Sequence, residues 1–182
     1  MDNIILKATL IISVYNNWHW LKQILNALNC QTEKNFEVII ADDGSNNSFV
    51  DNLKESIKNY SFPIIHVWHE DKGWRKNEIL NKAIQEARSQ YLIFLDGDCI
   101  PHPHFIKDHV FLAHKGTVVA GRRVQLPLYT TKVIDDYTGS DIHKMLSNRK
   151  LFIKLIKENI SHKSRCLRLP LIRNRVNPSS RG

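Results

Sequence analysis

Three observations predict an α/β fold with a mostly parallel sheet and helices on both faces. Apolar, β-branched runs of five to seven residues alternate with segments of helical periodicity. The segments between runs are long enough for crossover connections. Three of the runs end in polar or acidic turn formers, which is where ligands bind in such sheets.

Ala8-Thr9-Leu10-Ile11-Ile12-Ser13-Val14 is a continuous apolar stretch and predicts a first strand buried on both faces. Leu21, Ile24, Leu25 and Leu28 follow at helical spacing, and that helix ends before Gln31-Thr32. Phe36 to Ala41 reads as a second buried strand running into Asp42-Asp43-Gly44-Ser45-Asn46, a cluster of turn formers. A helix over Phe49 to Tyr60 comes next. Phe62 to Val67 is a third strand, with Pro63 placing it at a strand start or a sheet edge. From Trp74 onward, Ile79, Leu80, Ala83, Ile84 and Ala87 form one apolar helix face. Tyr91 to Leu95 is the most hydrophobic strand and stops at Asp96-Gly97-Asp98, and Thr117 to Gly121 is a further strand. Ile142, Met145, Leu146, Phe152, Ile153 and Ile156 then mark a basic helix within 141–160.

Composition narrows the function. A chain of 182 residues with 42% hydrophobic and 24% charged residues forms one ordinary core, which excludes a disordered or collagen-like chain. No stretch approaches the roughly 18 apolar residues of a spanning helix and no secretory leader is visible, so the expected compartment is the cytoplasm. Cys30, Cys99 and Cys166 form no C-x-x-C and read as free thiols. Residues 1–121 hold 12 Lys and Arg against 14 Asp and Glu, while 122–182 hold 14 against 4, so the net charge of +8 belongs to the tail. Such a tail suits an anionic membrane or a polyanion, although a charged helix is more often simply a solvated face. Nucleic acid is not expected, because the tail lacks aromatics interleaved for base stacking.

Val14-Tyr15-Asn16, Asp42-Asp43-Gly44-Ser45 and Asp96-Gly97-Asp98 share one sheet edge if the strands are parallel. Two carboxylates spaced D-x-D there call for a balancing divalent cation with oxygen ligands, Mg²⁺ or Mn²⁺, whose shell substrate phosphates complete. Each cluster taken alone is also an ordinary turn. Arg75, near a helix start, could meet a phosphate or steady the acids. His102 and His104 read as an exposed helix entry rather than zinc ligands, since no set with zinc spacing accompanies them. A nucleotidyltransferase would need a glycine-rich loop after the first strand, and Tyr15-Asn16-Asn17-Trp18 is not one.

Several motifs in order resemble the inverting family 2 glycosyltransferases of the GT-A fold, in their bacterial galactosyltransferase and chondroitin-polymerase-like branch. They are Thr9 to Asn17, then Gln31-Thr32 with Phe36 to Ser45, then His69-Glu70-Asp71-Lys72-Gly73-Trp74-Arg75 with Leu80-Asn81-Lys82-Ala83-Ile84, and lastly Tyr91 to Pro101. The resemblance covers roughly residues 8–123. It implies that Ser13 and Tyr15 line a nucleotide pocket, that Asp43 accepts a hydrogen bond from uracil, and that Arg75 sits near base and phosphates. Asp96 and Asp98 would serve ribose and metal, with Asp98 the direct ligand. It further implies a UDP-sugar donor, Mn²⁺ or Mg²⁺, a saccharide or lipid-linked saccharide acceptor, and a role in bacterial surface polysaccharide synthesis.

The family's base is a carboxylate in a tryptophan- and glycine-containing motif beyond the D-x-D. Here Trp18, Trp20, Trp68 and Trp74 all precede Asp96, and the acids after residue 121 are Asp135, Asp136, Asp141 and Glu158. The expectation is a truncated chain with a nucleotide-sugar core over 1–123 and a basic segment over 124–182 that begins the acceptor half. Donor binding without transfer is the alternative. Peripheral contact with the inner face of the cell membrane would run through 141–160.

Overall fold

The computed structural model describes residues 6–121, 123, 141 and 144, with the backbone of 175 and 176. Strands β1 (Ala8–Val14), β2 (Phe36–Asp42), β3 (Ile64–Trp68) and β4 (Leu92–Asp96) form a parallel sheet in the order β3-β2-β1-β4. Helix α1 (Trp18–Asn29) joins β1 to β2, α2 (Asn47–Ser56) joins β2 to β3, α3 (Lys76–Gln85) joins β3 to β4, and α4 (Phe105–Leu112) follows β4. A two-residue strand β5 (Val118–Val119) pairs antiparallel with β6 (Arg175–Val176).

The strands need apolar residues on both faces because helices cover both. Leu10, Ile12 and Val14 of β1 pack with Leu21, Ile24, Leu25 and Leu28 of α1, with Phe49 and Leu53 of α2 and with Ile106 of α4. On the opposite face Ile11, Ile39 and Ala41 meet Ile79 and Ala83 of α3. Helix α3 lies over β1, β2 and β3. On the same side of β4, Phe94 is 53% exposed.

Local chemistry sets the element ends. Asn17 caps α1 by accepting from the Trp20 N–H at 3.2 Å, and Asn46 caps α2 by accepting from the Phe49 N–H at 3.0 Å. The expected helix to Tyr60 tightens after Ser56 into a 3₁₀ turn over Ile57–Asn59. Helix α3 begins at Lys76, two residues later than Trp74, with Arg75 as its cap. Pro63 stands just before edge strand β3, where its carbonyl accepts from the Val38 N–H at 2.9 Å and its missing donor costs nothing.

At the amino end of the sheet, Glu37 is fully buried and accepts from Thr9 Oγ1 (2.7 Å), the Arg88 N–H (2.8 Å) and Arg88 Nε (2.6 Å). A charge inside a strand is tolerable only with such partners. His102 and His104 do enter a helix, but both are half-buried rather than exposed. The reason is the turn after α1: Gln31 Nε2 donates to the His102 carbonyl at 2.8 Å, and Thr32 Oγ1 lies 2.9 Å from His104 Nδ1. Cys30 and Cys99 are free thiols, while Cys166 lies outside the described residues. The basic helix of 141–160 also lies outside them, apart from Asp141 and Lys144, which are both helical. No helix among the described residues is long and apolar enough to cross a membrane.

Candidate functional site

Because all four strands are parallel, their carboxyl ends lie along one edge, and register aligns Ser13 with Asp96 and Val14 with Asp42. The loops leaving this edge are bonded to one another. Asn16, with φ of 50°, donates its N–H to Ser45 Oγ at 2.8 Å, and its side-chain oxygen accepts from the Asn46 N–H at 2.8 Å. Gly44 has φ of +95°, and a Cβ there would lie 2.6 Å from Asp71 Cα, so only glycine lets these loops meet. A Cβ on Gly97 would stand 2.6 Å from the Ser13 carbonyl, so the missing side chain brings the D-x-D turn against the end of β1.

Asp43 is held from two sides. His69 Nε2 lies 2.7 Å from its Oδ1, and the Arg75 N–H donates to its Oδ2 at 3.0 Å. Its neighbour Asp42 is fully buried, accepts from the Ser45 N–H at 2.8 Å and faces His66 Nε2 at 2.9 Å. The Arg75 guanidinium turns to the Glu70 carbonyl and to Glu78 Oε2. Tyr15 donates its hydroxyl to Asp71 Oδ2 at 2.9 Å. That bond and the Asp71 charge push the Tyr15 phenol up, while the Gly73 N–H, with Tyr15, holds the Asp71 carboxyl below the usual range.

Asp96, Asp98 and Cys99 bring their ligand atoms within 4.8 Å of one another. Lys76 Nζ pairs with Asp96 at 2.8 Å and, against partial burial, holds its carboxyl below the ordinary value. Among the described residues Asp98 has no Lys or Arg partner and accepts only the Cys99 thiol, at 3.3 Å. Burial and the Asp98 carboxylate push that thiol up to about 11, which makes Cys99 a poor ligand for a hard cation. The two exposed carboxylates therefore fit an ion such as Mg²⁺ or Mn²⁺ that uses few protein ligands, with Asp98 the freer donor. Beside them opens a cleft of about 240 Å³ lined by Ile11, Ser13, Lys76, Leu80, Phe94, Leu95 and Asp96.

The structure thus brings Ser13 beside Asp96 and Asp98, and Tyr15 and Asp43 to the neighbouring loops. Arg75 reaches Asp43 through its backbone, and Lys76 rather than Arg75 steadies Asp96. Sequence reasoning quoted His69 and Asp71 only as part of a motif, with no role of their own, and gave Lys76 none. A signal existed for His69: β2 and β3 are in register up to Asp42 and Trp68, so the next residues, Asp43 and His69, continue side by side.

The sequence pattern of the family described as Glycosyl transferase family 2 matches residues 9–169. Glycosyltransferase AglE of Haloferax volcanii is 26% identical over 153 residues, covering 79% of this chain and 49% of that protein. Validoxylamine A glucosyltransferase of Streptomyces hygroscopicus is 30% identical over 116 residues, covering 62% of this chain and 26% of its own. The fold is similar to that of S. aureus TarS 1–349 in complex with UDP-GlcNAc, with a TM-score of 0.51, 21% identity, and coverage of 66% of this chain and 37% of that one. It is also similar to the mannosyltransferase PcManGT from Pyrobaculum calidifontis in complex with GDP-Man and Mn²⁺, with a TM-score of 0.54, 20% identity and coverage of 64% and 36%. The chain spans about half or less of each of these proteins. The family match extends across the strand-end loops and beyond them, and the shared fold has the same parallel sheet, so this chain belongs to glycosyl transferase family 2.

Proposed function

We propose that residues 6–121 form the donor half of an inverting glycosyltransferase that takes a UDP-sugar and passes the sugar to a saccharide or lipid-linked acceptor. The observation that carries this reading is the convergence of Ser13, Tyr15, Asp43, Asp96 and Asp98 on one sheet edge, with a cleft beside the acidic pair. Asp43 contacts the base and Tyr15 closes the pocket from the β1 loop. Asp96 faces the ribose, with Lys76 keeping it ionised. Asp98, joined by Asp96, would hold Mn²⁺ or Mg²⁺, which when bound neutralises charge on the departing diphosphate. The backbone of Arg75 orders Asp43, and its guanidinium would serve base and phosphates from the same loop.

The donor complexes of TarS and PcManGT support a nucleotide-sugar ligand of this class. A base that donates a ring N–H, as uracil does, suits Asp43, which offers only acceptors. The excess of 14 basic over 4 acidic residues after 121 supports work at the cytoplasmic face of an anionic membrane, where surface polysaccharides are built on lipid carriers. Calorimetric titration of UDP with and without Mn²⁺, on wild type and on Asp98→Ala, tests the reading. Binding that requires metal and disappears in the variant is expected; no UDP binding under either condition overturns it.

A further inference from the structure

We propose that His69 is a positioning residue for the nucleobase of the donor: it fixes the Asp43 carboxylate so that a base presenting a ring N–H, as uracil does, is selected over one presenting a ring-nitrogen acceptor, as cytosine does. The proposal rests on the donor reading above and adds the source of base selectivity.

His69 is 7% exposed, and its Nε2 lies 2.7 Å from Asp43 Oδ1, itself 13% exposed. A carboxylate offers only acceptors, so the hydrogen of this contact is on Nε2. The other side of the ring is also gripped: Nδ1 is 3.5 Å from Lys82 Nζ and 3.7 Å from Glu78 Oε1, and those two groups pair with each other at 2.8 Å. The ring therefore cannot swing away without breaking contacts on both edges. With the Arg75 N–H at 3.0 Å on Oδ2, each Asp43 oxygen has one donor from the protein and capacity for another. An incoming N–H completes the set. An incoming lone pair meets an acceptor that cannot rotate away or rearrange, and a buried acceptor left facing an acceptor discriminates strongly.

A histidine that merely ties the β3–α3 loop to the β2–α2 loop would weaken every ligand alike when replaced. The test measures Kd for UDP, CDP and inorganic pyrophosphate, each with Mn²⁺, on the full chain and on His69→Leu, His69→Gln and His69→Asn, with melting curves alongside. Wild type is expected to prefer UDP over CDP by about 10-fold or more, as a hydrogen bond to a charged group allows. His69→Leu brings UDP down to the level of CDP and leaves pyrophosphate unchanged. Glutamine, whose amide nitrogen reaches the place of Nε2, restores the preference, whereas the shorter asparagine does not. If leucine unfolds the protein, the glutamine and asparagine pair decides. Unchanged preference in a folded His69→Leu or His69→Asn, or equal loss for all three ligands, overturns the proposal. Equal binding of UDP and CDP by wild type overturns it while the donor site stands. A wild type that binds neither UDP nor pyrophosphate removes the donor reading and this one together.

Discussion

Lys76 and Asp96 pair at 2.8 Å with side chains 36% and 49% exposed, so water screens their attraction, and its worth to stability is below about 1 kcal/mol. Its effect on protonation is separable from that. Lys76 holds the Asp96 carboxyl below its ordinary value, so the pair's contribution is present above the ordinary carboxylate range and fades as pH falls through the lowered folded value. In Lys76→Met the Asp96 titration, followed by carboxyl carbon NMR, moves up toward the ordinary value near about 3.9 while the melting temperature barely changes. A midpoint that stays where it was contradicts the pairing. At the same scale Gly97→Ala sets a Cβ 2.6 Å from the Ser13 carbonyl, a contact that backbone must move to relieve. The expected result is a folded protein, less stable by about 1–3 kcal/mol, whose metal-dependent UDP affinity is lost. Retention of that affinity would show that the turn does not depend on its approach to β1.

Elements are held to one another by a few polar contacts that periodicity does not report. The turn before β4 is attached to β1 and β2 through Glu37, which takes three hydrogen bonds from Thr9 and Arg88 while fully buried. Glu37→Gln puts an amide donor against these donors and is expected to cost about 3 kcal/mol, read as a lower urea midpoint with an unchanged slope. Helix α4 meets the sheet through His109, whose Nδ1 lies 3.2 Å from the Tyr91 hydroxyl and whose ring meets Phe105 edge-on. Burial depresses the His109 ring below its ordinary value. The unfolded chain therefore takes up this proton first as pH falls, and the fold loses stability from about pH 6.5 downward until the folded value is reached. Melting temperatures from pH 8 to 5 should fall more steeply in wild type than in His109→Gln, and parallel curves would refute the assignment.

For the whole molecule, a ligand that binds only the native state raises the melting point by mass action. On the donor reading proposed above, UDP and Mn²⁺ at a hundred times Kd add about 2.7 kcal/mol, or roughly 5–10 °C for a chain of this size. Asp98→Ala should show no such rise. The path from sequence to this architecture was short where one periodicity governed it. The run of β1, the apolar faces of α1 and α3, and the acids after β2 and β4 were legible because two-sided burial demands unbroken apolar runs and turns demand Asp and Gly. The clusters holding Asp43, Asp96 and Asp98 were found for the same reason, and the choice of Asp43 over Asp42 came from the family resemblance. His69 and Lys76 were given no role, because their importance arises from register across strands and from which side of a helix start faces an acid, neither of which a linear pattern encodes. The exposure of Phe94 was hidden too, since β4 has the most apolar sequence but α3 packs mainly on β1, β2 and β3.

The strand order β3-β2-β1-β4 also has a consequence in time. Strand β1 is a central one, and its register partner for Ser13 on one side is Asp96, synthesised 83 residues later. At about 5–20 residues per second, β1 waits on the order of 4–16 s with one edge unpaired, its most apolar residues available to any passing extended chain. Helix α1 and β2 can shield one flank early, but the half of the edge that carries the acidic pair closes last. The loops around Asp43 can thus take shape on the nascent chain before the carboxylates of Asp96 and Asp98 exist.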